Sequence, residues 1–470
     1  MGLGQCDIGL VGLGVMGRNL ALNLADHGFA VAGFDVNRDR LAALTGDGRR
    51  DIRGTRSLAE LAAGLKAPRA VLLMLPAGPI VDQVIRELAL GLSRGDVIID
   101  GGNSHFTDTE RRARELAHGG PRFLGLGISG GSAGARHGPS LMPGGPREAY
   151  EQVRHILEAV AAKAGGEPCV AWLGPRAAGH YVKMVHNGIE YGLMELIAES
   201  YDLMRRGLGI DNDRLSEIYR RWNSGPLEGF LVEITSRIFL QPDNPSGQRL
   251  VDVIRDEAGQ KGTGAWTSQS AMELKVPVPT IDMAVMMRNL SQRRAERDCV
   301  AATLAEEHPT FSGYPGEPVA GMERAMLAAT VATYAQGFAL LSQASDSYAY
   351  GLRLADVARI WRGGCIIRMA ILEDIRAAYS RQADLPSLLA DGTLAAMMLE
   401  RITDLRAVVA AAATLGVPMP GLGACLAYIE SLRSRRLPAN LIQAQRDFFG
   451  AHTYRRVDAD GSFHTDWQSE

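Results

Sequence analysis

The chain has 470 residues, 46% of them hydrophobic and 22% charged, with a formal net charge of −3. That length exceeds one ordinary core, so two or three domains are expected, and the balanced charge gives no case for nucleic acid or an anionic membrane as partner. The five cysteines (Cys6, Cys169, Cys299, Cys365, Cys425) are scattered, with no C-x-x-C pair and no His/Cys cluster, which argues against a structural zinc or a disulfide framework and for a reducing, cytoplasmic setting with no metal.

The opening Met-Gly-Leu-Gly-Gln-Cys carries Cys at the sixth position, where an acylation signal has Ser or Thr, so no lipid anchor is expected. Neither a signal peptide nor an 18-residue apolar run is read. Ile8–Val11 reads as a short buried strand, followed by Gly12-Leu13-Gly14-Val15-Met16-Gly17 and a helical pattern over residues 18–27. A G-x-G-x-x-G between strand and helix closes a tight turn, lets backbone approach a pyrophosphate, and offers the helix N-terminus to its charge. A second strand over residues 30–34 runs into Asp35, about 20 residues after the glycines, as a dinucleotide fingerprint requires. A carboxylate there accepts hydrogen bonds from ribose hydroxyls and repels a 2′-phosphate, which favours NAD, while nearby Arg38 keeps NADP open. The cofactor set is therefore Gly12, Gly14, Val15, Met16, Gly17, Asp35, Asn37 and Arg38, with Asn103 added below. Strands at 70–75 and Val97–Asp100 alternate with helix-like segments, the pattern of a parallel, doubly wound sheet.

Ser129-Gly130-Gly131 follows the apolar run 123–128 and reads either as a plain turn or as a turn against a ligand. After Pro175 strand signals largely vanish and amphipathic helices take over, as at 187–206 and 326–345. If residues 178–191 are helical, Lys183, Asn187 and Glu190 share one face, with His186 beside them. This is either a surface ion pair or an acid/base set; His186 taken singly reads as a hydrogen-bonded core histidine. An internal echo, Tyr191-Gly192 before Trp222 and Gln336-Gly337 before Trp361, reads as a duplicated helical unit. Lys261 sits in Gln-Lys-Gly-Thr-Gly, where the glycines argue for backbone close to a ligand. Trp361-Arg362-Gly363-Gly364 reads as packing and helix termination, outside any site. The segment from Pro438, with Arg446, Gly450 and His452, is less regular and reads as a tail that is disordered or docks on a neighbour. The expected architecture is an α/β Rossmann-type domain (1–177), a large all-α domain (178–437) and an extended C-terminal tail (438–470).

These motifs together resemble the decarboxylating 6-phosphogluconate dehydrogenases of the pentose phosphate pathway over nearly the whole chain. The resemblance runs through Gly12–Gly17, Asp100-Gly101-Gly102-Asn103-Ser104, Ser129-Gly130-Gly131 and GPSLMPGG at 138–145. It continues through 179–191, DEAGQKGTGAW at 256–266, WRGGCIIR at 361–368 and LIQAQRDFFGAHTY at 441–454. It implies oxidative decarboxylation of 6-phosphogluconate to ribulose 5-phosphate and carbon dioxide, with Lys183 as general base and Glu190 as the acid that protonates C1. It places Asn103, Ser129, Gly130, Gly131, His186 and Asn187 on the sugar acid, and Tyr191, Lys261, Thr263 and Arg288 on its phosphate. Arg446 and His452 match tail residues that the other subunit contributes, which implies a homodimer with a composite site, in which residues 178–437 are the substrate and dimerisation domain and the tail reaches the partner subunit. NADP-using members carry Asn-Arg-Thr where this chain has Asp35-Val36-Asn37, and a Lys before Ala-Gly where it has Pro76-Ala77-Gly78; both departures remove positive charge and point to NAD. Residues 293–318 also depart from the pattern and receive no role. Two other readings are a related β-hydroxyacid dehydrogenase acting on a smaller acid and a non-catalytic nucleotide and sugar-phosphate sensor.

Overall fold

The computed structural model describes residues 5–46, 49–304 and 316–467. The acylation reading of the first residues falls partly outside this range, as does part of the stretch 293–318. The N-terminal third builds strand β1 (Ile8–Val11), helix α1 (Val15–Asp26), β2 (Val31–Phe34), α2 (Arg38–Thr45), β3 (Ile52–Gly54) and α3 (Leu58–Ala63). It continues with β4 (Ala70–Leu73), α4 (Pro79–Ala89), β5 (Val97–Asp100), α5 (Phe106–Leu116), β6 (Arg122–Ser129), α6 (Gly131–His137), β7 (Ser140–Gly144) and α7 (Arg147–Val160). The sheet order is β3-β2-β1-β4-β5-β6-β7. Strands β1 to β6 pair in parallel and β7 runs antiparallel to β6. Every residue of β1, β4 and β5 is buried, as expected of strands covered by helices on both faces. The order reverses at β1, between β2 and β4, which opens a crevice at the carboxyl ends of the strands.

The remainder is helical, apart from the small hairpin Lys163–Ala164 and Glu167–Pro168. Its long elements are α8 (Ala178–Asp202), with one π-turn at Leu203–Gly207, and the helices Pro318–Ser347 and Gly392–Thr414. Helix α8 joins the sheet domain to the helical domain. Gly179 lies against the β7 backbone, where a Cβ would come within 2.2 Å of Met142 O, and a Cβ on Gly127 would sit 2.5 Å from Lys183 Cβ. Small residues on both sides thus let the helix rest directly on the sheet edge. His180 Nε2, 3.0 Å from Asp100 O, and His180 Nδ1, 2.6 Å from Thr109 Oγ1, tie its first turns to β5 and α5.

The glycines of the internal echo meet in one helix–helix contact. A Cβ on Gly192 would lie 2.8 Å from Thr333 Cγ2, and one on Gly337 would lie 2.4 Å from Ile189 Cδ1. Trp222 and Trp361, its other members, are fully buried. Pro318–Ser347 holds no unbroken apolar run, yet averaged over 18 residues it is long and apolar enough by composition to cross a membrane. Within the fold 89% of that window is buried, so it serves as the central helix of the core.

The tail is more ordered than its composition suggests. Helix Ala439–Gly450 leads into a loop gathered on the fully buried Asp447. That carboxylate accepts hydrogen bonds from Thr453 N–H (2.8 Å), Thr465 N–H (3.1 Å) and Trp467 Nε1–H (2.9 Å), with His464 Nδ1 at 2.9 Å. Leu441, Ile442, Phe448 and Phe449 of the same segment remain exposed.

Candidate active site

A cleft of about 730 Å³ opens at the carboxyl ends of β1 and β4. Gly12 forms its floor with φ +94°, a left-handed conformation that favours glycine, and a Cβ there would come within 2.5 Å of Met74 O. Gly17 packs α1 onto the turn, since its Cβ would fall 1.9 Å from Gly12 O. Gly14 differs: nothing lies within 4 Å of a Cβ placed there. The first and third glycines are thus required by the fold, while the second leaves open space beside the first turn of α1. Gly14 caps that helix with no side-chain acceptor, so its leading N–H groups face the cleft unsatisfied by protein side chains, a ready site for a pyrophosphate. These residues fit a dinucleotide.

Asp35 borders the cleft and is buried. Its Oδ2 accepts from Leu13 N–H at 2.7 Å and its Oδ1 from Asn37 N–H at 2.8 Å. The Asn37 side chain turns away to cap α2, accepting from Asp39 N–H (2.9 Å) and Arg40 N–H (3.3 Å). Arg38 is exposed and is not in the wall of the cleft. The cation beside Asp35 in that wall is Arg40, with Nη1 3.7 Å from Asp35 Oδ2. Sequence reasoning missed it; its position two residues past Arg38, in the first turn of α2, was the available signal.

Asn103 also lines the cleft, on a turn built around a buried arginine. Arg112 Nη1 donates to Ser104 Oγ (2.9 Å) and to Asp100 Oδ2 (3.3 Å), Ser104 Oγ donates to Asp100 Oδ2 (2.6 Å), and Gly102 N–H donates to Asp100 Oδ1 (3.0 Å). Lys261 lines the same cleft from the helical domain.

Lys183, His186, Asn187 and Glu190 project from one side of α8 toward the Ser129-Gly130-Gly131 turn. His186 is central and fully buried. Its Nδ1 is 3.0 Å from Asn187 Oδ1, 3.3 Å from Lys183 Nζ and 3.7 Å from Glu190 Oε2. Its Nε2 is 2.9 Å from Ser129 Oγ and 2.9 Å from Cys365 Sγ. Asn187 Nδ2 donates to Thr263 Oγ1 at 3.0 Å. One helical turn on, the Arg288 guanidinium stacks 3.5 Å over the Tyr191 ring, and both are buried.

Burial sets the electrostatics. It lowers the Lys183 ammonium below the ordinary lysine range, against the opposing pull of Glu190 and Cys365. It raises the Glu190 carboxyl above the ordinary range, against Lys183 and Arg288. His186 is held well below its usual value by burial and by Lys183. A lysine moved toward deprotonation and a carboxyl moved toward protonation form a base and an acid within one helical turn or two, the arrangement general acid–base chemistry needs.

Of the sequence-derived site residues, Lys183, Glu190, Ser129, Gly130, His186, Asn187 and Thr263 gather in this cluster, with Gly131 at the same turn and Tyr191 and Arg288 beside it. Arg446 and His452 are not brought there by their own chain. Arg446 Nη1 donates to Gln443 Oε1 at 3.2 Å within the tail, and His452 packs edge-on against Phe449. Cys365 and Trp361 are the residues missed: the latter's ring packs edge-on to His186 at 5.6 Å. A fold-terminating reading of their glycine-rich turn hid what it presses against. Among the described residues no cluster of three or more His, Cys, Asp or Glu is arranged to hold a metal.

Residues 7–174 match the family model for the NAD binding domain of 6-phosphogluconate dehydrogenase, and residues 179–467 match that for its C-terminal domain. The chain is 46% identical to the NADP(+)-dependent, decarboxylating 6-phosphogluconate dehydrogenase of Bacillus subtilis over 98% of this chain and 99% of the relative. It is 47% identical to the decarboxylating 6-phosphogluconate dehydrogenase of Synechococcus elongatus, over 98% of this chain and 99% of that one. Among solved structures, 6-phosphogluconate dehydrogenase of Plasmodium falciparum superimposes with a TM-score of 0.94 at 41% identity, covering 98% of this chain and all of that one. That enzyme has been described in its apo form and in complexes with NADP+ and with 6-phosphogluconate.

Proposed function

The chain belongs to the 6-phosphogluconate dehydrogenase family, and on that footing we propose that it oxidises and decarboxylates 6-phosphogluconate to ribulose 5-phosphate, with NAD preferred over NADP. The observation that carries the chemistry is the buried Lys183 and the partly buried Glu190 on α8, shifted in opposite directions by one environment. Bound in the cleft, the nicotinamide supplies the hydride acceptor. Lys183, unprotonated at the start, takes the proton of the C3 hydroxyl as C3 is oxidised. The ketone so formed lies β to the carboxylate, so the C1–C2 bond can break with its electrons flowing into the ketone. Lys183, now protonated, donates to that developing oxyanion. Glu190 then protonates C1 of the enediol once carbon dioxide has left. Ser129, Gly130, Gly131, His186, Asn187 and Asn103 hold the acid's carboxylate and hydroxyls, and Tyr191, Lys261, Thr263 and Arg288 its phosphate. The experiment follows carbon dioxide and reduced cofactor together with 6-phosphogluconate and with unphosphorylated gluconate. One carbon dioxide per reduced cofactor, from the phosphorylated acid, is expected; reduced cofactor without carbon dioxide, or preference for the unphosphorylated acid, contradicts the proposal.

The preference for NAD rests on Asp35, which presents a buried carboxylate where a 2′-phosphate would lie. An NAD-linked enzyme of the pentose phosphate pathway, working in the cytoplasm, yields NADH for catabolism. We take residues 178–437 as the substrate and dimerisation domain and residues 438–470 as an arm that brings Arg446 and His452 to the partner's site. The exposed apolar side chains of the tail helix fit that use. Co-expression of a Lys183→Met chain with an Arg446→Ala chain then yields mixed dimers. One site of each pair keeps both intact residues, so the mixture recovers activity that neither variant has alone. Recovery no greater than the sum of the two variants would place each site within one chain.

A further inference from the structure

We propose that Cys365 is a positioning residue: its thiol donates to Nε2 of His186 and fixes the imidazole as the neutral Nδ1–H tautomer beside the base. The consequence for turnover rests on the function proposed above; the tautomer itself does not. The turn carrying Cys365 is wedged in place. Gly364 has φ +60°, and a Cβ there would lie 2.3 Å from Gly138 O and 2.7 Å from Ala162 Cβ. Its carbonyl accepts from Ser140 N–H at 2.8 Å and would meet a Cβ on Gly130 at 2.5 Å. The thiol, 3% exposed, is thereby pressed onto the turn that ends in Ser129 and Gly130.

The tautomer follows from the partners. Asn187 Nδ2 donates to Thr263 Oγ1, which turns Oδ1 toward His186 Nδ1. An amide oxygen only accepts, so Nδ1 carries the hydrogen and Nε2 is bare. Two groups with one hydrogen each face Nε2, the Ser129 hydroxyl and the Cys365 thiol. Burial pushes the thiol up to about 12, so it keeps its proton through neutral pH. Ser129 Oγ already accepts from Ile366 N–H at 3.3 Å. With the thiol serving Nε2, the serine hydrogen is left for an incoming carboxylate. The ionisable groups facing His186 are Lys183 and Glu190 from α8 and Cys365 from the turn; Ser129 and Trp361, which also pack on it, are uncharged.

Removing the S–H leaves Ser129 as the only donor to Nε2 and takes it from the substrate. Nitrogen NMR of the full-length protein labelled with 15N-histidine is expected to show Nδ1 protonated and Nε2 bare. Cys365→Ala is expected to raise KM for 6-phosphogluconate about tenfold, the weight of one buried hydrogen bond, with kcat less affected. Cys365→Ser, which keeps a donor, restores KM. A proton on Nε2 in the wild type, or an alanine variant with unchanged KM, overturns the proposal. If the alanine variant does not fold, the wild-type spectrum still decides. Absence of turnover in the wild type would count against the functional reading and leave the spectrum readable.

Discussion

Lys183→Met is expected to lower kcat by about a hundredfold to ten-thousandfold, the usual weight of a positioned general base, while binding of 6-phosphogluconate by calorimetry changes little. Methionine keeps an unbranched apolar stem, with the Cβ that packs against Gly127, and carries no amine. The site can use lysine as a base because burial, the largest influence on Lys183, lowers it from the ordinary range. The sign of the pH dependence follows. The rate rises with pH as Lys183 loses its proton and falls as Glu190, raised by burial, loses its own. The two limbs therefore lie closer together than an ordinary carboxylate and an ordinary lysine would place them. Glu190→Gln removes a charge that raises Lys183, so the limb belonging to Lys183 moves to lower pH in that variant. Turnover that survives Lys183→Met, or a Lys183 limb that moves to higher pH in Glu190→Gln, would refute these roles.

The double change Asp35→Asn with Val36→Arg is expected to shift the ratio of kcat/KM values from NAD toward NADP by about a hundredfold. It takes away a carboxylate that opposes the 2′-phosphate and adds a guanidinium that pairs with it. A charge-assisted hydrogen bond contributes about 1.5–3 kcal/mol, and each 1.4 kcal/mol is about tenfold. Val36 lines the cleft and is 88% exposed, so a larger side chain there meets no wall. Asp35→Asn alone has a second effect. The carboxylate accepts from Leu13 N–H with one oxygen and Asn37 N–H with the other, whereas an amide offers one oxygen only. One backbone N–H loses its acceptor, and a lower melting temperature accompanies the change in specificity. If the ratio of the two cofactors does not move in the double variant, recognition of the adenosine ribose lies elsewhere, with Arg40 the nearest charged group.

Much of this architecture is legible in local pattern. The Ile8–Val11 strand, the glycine fingerprint and the helical face carrying Lys183, Asn187 and Glu190 each follow from a period or a spacing that a few residues display. Helix α1 begins at Val15, three residues before the apolar period is readable, because its first residues Val15, Met16 and Gly17 line the cleft. What escaped is what depends on distant partners. β3 is three residues long and has no alternation to read. β7 contains Pro143 and Gly144 and is a strand only because β6 lies beside it. The order of the tail depends on Asp447, whose partners lie up to 20 residues further on. Cys365 meets His186 across 179 residues of sequence, and no local pattern marks that contact. Arg40 and Arg38 are equally plausible from their spacing, and only the capping of α2 by Asn37 decides which one turns toward Asp35.

The central claim is tested most directly by initial rates of the purified protein with 6-phosphogluconate and saturating NAD, then NADP, followed through the absorbance of the reduced cofactor. With the two assays run side by side, the expected result is turnover with the higher kcat/KM for NAD. A higher kcat/KM with NADP would contradict the reading of Asp35 while leaving the acid–base pair in place, and no turnover with either cofactor would contradict the proposed reaction itself.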